Sequence, residues 1–166
     1  MREVEREMIT AINYYLSGGD RESIFLGNTM VYRNFRSCHY YLCSEVYKDF
    51  GEDNCKATVT LFNNVIAYVT ENYLYFTPQY TSNTTKSRLN ALITAFTNSS
   101  ISFCSEDNGS TMVLQNFSTD FDCIPYGKAD TKQVTRKHRP SLIIPEYIHW
   151  VRLPRKYTSS QVILYK

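Results

Sequence analysis

Apolar residues near the start of the chain recur at helical spacing. The recurring positions, three or four residues apart, are Val4, Met8, Ile12 and Tyr15/Leu16. Glutamates lie at the beginning of this segment, where acidic side chains favour the positive end of a helix, and Gly18-Gly19 follows it as a stop signal. The pattern therefore predicts a helix over residues 3–16.

A second helical stripe lies in the middle of the chain. Its apolar positions follow the spacing i, i+3, i+4 and i+7 of one buried helix face, and they are Leu89, Leu92, Ile93 and Phe96. Thr84 or Thr85 is the predicted N-cap, because a threonine hydroxyl accepts a hydrogen bond from an amide of the first turn. We expect this helix to end near Thr97-Asn98.

Runs of β-branched and aromatic residues between polar turn residues predict strands. The expected strands are 24–33, Ala57–Phe62, Val65–Thr70, Tyr73–Phe76, Ile101–Cys104 and Thr111–Gln115. Turns are predicted at Asn63-Asn64 and at Asp107-Asn108-Gly109, since asparagine and glycine tolerate positive φ. Residues 36–48 fit either a helix, by their apolar spacing, or a strand, by their tyrosines, and we favour a strand.

Prolines 125, 140, 145 and 154 interrupt the last part of the chain. Because proline has no amide donor, strands there are expected at sheet edges. The apolar runs suited to such edges are Leu142–Ile144, Ile148–Val151 and Val162–Tyr165. Together, these elements predict an α+β fold: an N-terminal helix, an antiparallel β-meander packed on one central helix (84–97), a hairpin, and a basic, proline-interrupted C-terminal segment.

Charge divides the chain into two parts. Residues 1–123 carry nine basic and fourteen acidic side chains, whereas residues 124–166 carry nine basic and two acidic ones. We therefore expect one α+β domain at 1–123 and a basic extension at 124–166 that docks on it. A basic terminal segment of this kind often contacts nucleic acid or an acidic partner.

The basic residues of the extension alternate with aromatic ones, a pattern that lets cations contact phosphates while rings stack on bases. The candidate partner-binding or nucleic-acid-binding residues there are Arg136, Lys137, Arg139, Trp150, Arg152, Arg155 and Lys156. The alternative is that the extension folds back and neutralises the acidic body, because no known nucleic-acid motif accompanies the basic run.

Length and composition exclude several classes of protein. The chain has 166 residues and five cysteines. No apolar stretch approaches the roughly 18 residues of a transmembrane helix, and the first twenty residues lack the apolar core of a signal peptide. The odd cysteine count predicts reduced core thiols, and Cys38, His39, Cys43 and Cys55 lack the paired spacing of a structural zinc site. No metal and no cofactor are expected.

Few residues suggest catalysis. The three histidines, His39, His138 and His149, lie outside any zinc or nucleophile motif, and no phosphate-binding glycine loop is present. Asp120-Phe121-Asp122 places two carboxylates on one face of an extended segment, which could hold a divalent cation in a nuclease. Because pairs of aspartates with this spacing are common in polar loops, the better-supported interpretation is a protein without enzymatic activity.

Three segments follow one another in a characteristic order: Asn28-Thr29-Met30-Val31, then Thr58–Ala67, then Thr84–Leu92. This order resembles a group of small uncharacterised tailed-phage proteins with the pattern NTxV … GNxIA … TTxxRLNAL, over about residues 24–123. Asn63 departs from the glycine of that pattern, and the stretch 36–54 and the basic extension lie outside it. The resemblance implies a phage origin and a small α+β domain, and it implies no catalytic residue.

Within the last segment, Arg88 and Asn90 are the residues that folding does not explain. Both can project from the polar flank of the helix and contact a partner's backbone or a phosphate, and the alternative is a local salt bridge or cap contact.

Three functions follow from these observations. We favour a phage-encoded binding protein without catalysis, an early or accessory protein that engages a host or defence factor or nucleic acid in the host cytoplasm, away from membranes. The alternatives are a minor virion or assembly protein, and a metal-dependent nuclease built around Asp120 and Asp122.

Overall fold

The computed structural model describes residues 1–37, 54–80, 82–97 and 150–156 with their side chains, and the backbone of five strands between residues 102 and 144. Residues 38–53, the turn predicted at Asp107-Asn108-Gly109 and the run Val162–Tyr165 lie outside the described residues. The prediction of a strand at 36–48 therefore falls almost entirely outside them.

Two helices occur among the described residues, α1 at Glu3–Leu16 and α2 at Asn83–Phe96, which confirms both helical stripes. The predicted N-cap of α2 is wrong. Ser82 caps the helix, and its Oγ accepts a hydrogen bond of 3.2 Å from the amide of Thr85. A cap residue precedes the first helical turn, and Thr84 and Thr85 already lie inside that turn.

Eleven strands are described. They are β1 (Ser23–Leu26), β2 (Thr29–Arg33), β3 (Cys55–Leu61), β4 (Asn64–Thr70), β5 (Tyr73–Phe76), β6 (Ser102–Glu106), β7 (Thr111–Gln115), β8 (Asp122–Ile124), β9 (Lys132–Arg136), β10 (Arg139–Ile144) and β11 (Trp150–Pro154). They form a seven-stranded sheet, in the order β1-β2-β3-β4-β5-β11-β8, and a four-stranded sheet, in the order β6-β7-β10-β9. The mixed α+β fold class is confirmed.

The segment predicted as one strand at 24–33 is a hairpin. β1 and β2 pair in antiparallel register from Ser23↔Tyr32 to Leu26↔Thr29, with Gly27-Asn28 as the turn. Gly27 has a φ of +70°, a left-handed conformation that glycine adopts without strain. The Gly-Asn dipeptide was therefore a turn signal inside an apparently continuous strand.

The turn between β3 and β4 lies one residue earlier than predicted. Leu61 pairs with Asn64, so Phe62 and Asn63 form the two-residue loop, with φ values of +51° and +66°. A two-residue hairpin loop with both φ values positive matches the right-handed twist of the strands. The pairing of the two strands therefore places Phe62 in the loop, although its side chain is apolar.

The left-handed φ of Phe62 is expected to lower the stability of the fold, because that conformation is unfavourable for a residue with a bulky side chain. The Phe62 side chain is 57% exposed, so its burial offsets little of this cost. Replacing Phe62 with Asn, which tolerates that conformation, should raise the free energy of unfolding by about 1 kcal/mol. Urea denaturation measures the change. The matched control is Phe25→Asn, at an exposed strand position where asparagine is disfavoured and no gain is expected; an equal gain there would contradict the explanation by φ.

Both helices pack on one face of the larger sheet. Alternate strand residues supply that face, as the register Val59↔Ala67↔Phe76↔Val151 shows. From the helices, the buried core residues are Met8, Ala11, Ile12, Tyr15, Leu89, Ala91, Leu92, Ile93 and Phe96. Every residue of the two predicted stripes except Val4 therefore lies in or against this core, where burial of apolar surface stabilises the fold.

The opposite face of the sheet carries a second buried cluster of Cys55, Val65, Tyr68, Tyr75 and Trp150. Cys55 is a free thiol there, and burial raises its pKa to about 12. This confirms a core thiol at Cys55, because the thiolate is disfavoured away from water; the other four cysteine side chains lie outside the described residues.

Two strands predicted at sheet edges are interior strands. β11 pairs with both β5 and β8, and β10 pairs with both β7 and β9. Their prolines do not prevent this. Pro154 is the last residue of β11, and Pro140 faces only β9, since the pairing with β7 begins at Ser141.

Candidate functional site

Trp150 is fully buried, although it was a predicted stacking platform for bases. The ring lies on the second face of the larger sheet, with its centroid 5.1 Å from that of Tyr68. A buried indole cannot stack on a nucleic-acid base without opening the sheet, so the position of Trp150 corrects the stacking role that we predicted for it.

Arg155 and Lys156 attach the end of the described chain to the domain. Nη1 of Arg155 donates to the carbonyl oxygens of Thr70 at 3.0 Å and Glu71 at 2.6 Å. The amide of Lys156 donates to the carbonyl of Phe96 and its Nζ to that of Thr94. Lysine at this place satisfies carbonyl groups that the last turn of α2 leaves free. These two cations are therefore engaged within the fold.

Arg152 lies partly buried on β11, with its guanidinium carbon 4.5 Å from the centroid of the Tyr73 ring. Such a cation–π contact holds the guanidinium over the ring. Its role in binding a partner stays a prediction.

Arg136 and Arg139 are brought together by the smaller sheet. They are directly paired residues at the closed end of the antiparallel pair β9–β10, with Lys137 and His138 between them in the sequence. We call this pair of arginines the basic hairpin end. β9 is an outer strand of the described sheet. The structure thus places two of the predicted basic residues opposite each other at one end of one hairpin.

Arg88 lies in a buried polar cluster between α1, α2 and β2. Its Nη1 donates to Oε2 of Glu5 at 3.0 Å and its Nε to the hydroxyl of Thr29 at 3.1 Å, and Ser87 donates to the same carboxylate at 2.5 Å. The side chains of Arg88 and Glu5 are 8% and 4% exposed. Arg88 is therefore a structural residue of the domain, and a contact with a partner stays a prediction for it and for the half-buried Asn90.

The Glu5 carboxylate is held in its charged form. Burial alone would raise its pKa, but hydrogen bonds from Ser87, the Arg2 amide and Arg88, with the charge of Arg88, lower the pKa below its ordinary value. No sequence pattern indicates Glu5 as the partner of Arg88, because the two residues are 83 positions apart and no local spacing signals such a pair.

No group of three or more His, Cys, Asp or Glu side chains within the described ranges is arranged to hold a metal ion. Asp122 is the first residue of β8, whereas Asp120, Cys38 and Cys43 lie outside the described ranges. Neither α1 nor α2 has the length and apolar character needed to cross a membrane.

Comparison with known families identifies a model described as Kyanoviridae Gp96 protein, which matches residues 1–132. The chain belongs to this family of phage proteins. No curated protein and no solved structure shows a significant match.

Membership of the Kyanoviridae Gp96 family confirms the phage origin that the resemblance implied, while the motif pattern itself stays a prediction. The matched residues include both helices and the strands from β1 to β8. They end at the first residue of β9, so the basic hairpin end and β11 follow the matched segment.

Proposed function

We propose that this phage protein is a non-enzymatic accessory protein that binds nucleic acid in the cytoplasm of the infected host through the basic hairpin end. The observation that carries the proposal is the direct pairing of Arg136 with Arg139, which places two arginines of one basic sequence run opposite each other on neighbouring strands.

Two features of the described chain support this surface over the rest of the basic extension. Trp150 and Arg155 are buried, and Lys156 is bonded to α2, so these residues serve the fold. Arg139 and Pro140 of β10 pair with β9 alone, because the pairing of β10 with β7 begins at Ser141, so the basic hairpin end lies on a two-stranded part of the smaller sheet. A two-stranded ribbon is narrow enough to enter the major groove of duplex DNA, and clustered cations there would neutralise phosphates.

The test is fluorescence anisotropy with single-stranded and duplex oligonucleotides from low to physiological salt. Each neutralised phosphate contributes about 0.9 to the slope of log affinity against log salt on duplex DNA. Arg136→Ala combined with Arg139→Ala should therefore weaken binding and reduce that slope by up to about two units.

The matched control is Arg6→Ala combined with Arg21→Ala, which removes the same charge from exposed positions on and after α1. This variant should keep the slope of the unmodified protein. Equal losses in both variants would assign the binding to overall charge. No binding at low salt would exclude nucleic acid and leave a host or defence protein as the partner to seek.

A further inference from the structure

A shallow cleft lies where the chain leaves β2. Its lining residues are Glu22, Arg33, Asn34, Phe35 and Arg36, and we call it the arginine cleft. The arginine cleft lies beside β1 and β2, whereas the basic hairpin end belongs to β9 and β10. No sequence motif indicated the cleft.

The backbone of the cleft is held in place by buried hydroxyl groups of the larger sheet. The hydroxyl of Thr58 donates to the carbonyl of Asn34 at 2.7 Å and accepts from the amide of Arg36 at 3.1 Å. The hydroxyl of Tyr68 donates to the carbonyl of Arg36 at 2.6 Å. Thr58 and Tyr68 are both fully buried, so the segment that presents the arginines is rigidly positioned.

The two guanidinium groups themselves are only weakly engaged. Arg33 donates to the carbonyl of Asp20 at 3.3 Å. Arg36 lies over the ring of Tyr32, at 4.6 Å, and its Nη2 is 3.8 Å from Oε2 of Glu22. The side chain of Glu22 is 84% exposed, and an ion pair so exposed contributes little to stability. No other partner of either guanidinium occurs among the described residues, so most of their donors remain available to a ligand.

We propose that the arginine cleft binds a phosphate group, with Arg33 and Arg36 as its ligands and Glu22 as a carboxylate that the phosphate displaces. Guanidinium groups match the oxygens of phosphate with paired hydrogen bonds, and a rigid backbone lowers the entropy cost of forming them. The phosphate can belong to a free phosphomonoester or to the end of a nucleic-acid strand.

The first experiment titrates the full chain with inorganic phosphate at constant ionic strength and follows backbone amide NMR shifts. We expect saturable shifts at residues 33–36 below about 10 mM phosphate. Arg33→Gln and Arg36→Gln should each weaken binding by about tenfold or more, the factor of one charge-assisted hydrogen bond. Arg6→Gln, the same substitution on α1, should leave binding unchanged. Shifts that do not saturate, or equal losses in all three variants, would overturn the proposal.

Glu22→Gln separates a binding site from a structural ion pair. If phosphate displaces the carboxylate, removal of its negative charge should tighten phosphate binding several-fold, because a like charge beside the anion is lost. Unchanged or weaker binding would overturn the role assigned to Glu22.

A second experiment distinguishes the source of the phosphate and separates this site from the proposed function. If an oligonucleotide with a 5′-phosphate shifts the amide resonances of residues 33–36 more than the same oligonucleotide without that phosphate, the ligand is the end of a strand. If the two oligonucleotides give equal shifts while inorganic phosphate still binds, the ligand is a free phosphomonoester. The Arg136→Ala/Arg139→Ala variant should keep its phosphate affinity. Loss of that affinity would contradict a cleft that binds phosphate independently of the basic hairpin end. Failure of the hairpin end to bind DNA would overturn the proposed function and would not affect the proposal for the cleft.

Discussion

Replacement of Glu5 by Gln is expected to lower the free energy of unfolding by about 3–5 kcal/mol at neutral pH. The side chain keeps its shape, but the guanidinium of Arg88, 8% exposed, loses the carboxylate 3.0 Å away and becomes an uncompensated buried charge. Such a charge is costly because protein dipoles replace its hydration poorly. Urea denaturation at pH 7 measures the loss.

The same pair makes stability depend on pH with a defined sign. The folded pKa of Glu5 is lowered from its ordinary value of 4.5, so its contribution is complete above that value and disappears as pH falls through the lowered folded pKa. Once Glu5 is protonated, the unmodified protein resembles the variant. The difference in unfolding free energy between the two should therefore shrink as pH decreases below about 4.

Glu7→Gln is the matched control, since Glu7 lies on the same helix and is exposed. Its effect should stay within about 0.5 kcal/mol. An effect of Glu5→Gln that is equally small, or that does not vary with pH, would contradict a stabilising role for the buried pair.

Truncation of Leu92 to Ala is expected to cost about 2–5 kcal/mol, the range for a large-to-small change in a packed core. Leu92 is fully buried on the face of α2 that meets the sheet. The loss combines the burial of the removed methyl groups with the cavity that rigid neighbours leave behind. Thermal and urea unfolding of the full chain provide the measurement.

Thr94→Ala, an exposed position on the same helix, controls for helix propensity and should change stability by less than about 0.5 kcal/mol. If Leu92→Ala had so small an effect, α2 would not pack on the sheet as described.

Local patterns were sufficient where residue type and backbone periodicity alone indicate an element. The stripe from Met8 to Tyr15 predicted α1, because helical periodicity follows directly from backbone geometry, and runs of β-branched and aromatic residues predicted β3, β4 and β5. Turns were less predictable. Phe62 occupies a left-handed position that the pairing of Leu61 with Asn64 imposes, and a single residue type does not reveal such a register.

The roles of the charged and aromatic residues depended on tertiary structure. By itself, the sequence determined that the chain has a basic C-terminal part, two amphipathic helices and an α+β composition. Only the fold decided that Trp150 is core, that Arg155 bonds to the turn after β4, and that Arg88 faces Glu5 across 83 positions. The physical reason is that a charge or a ring is equally suited to solvent, a partner or a buried pair, and contacts between residues distant in sequence select among these.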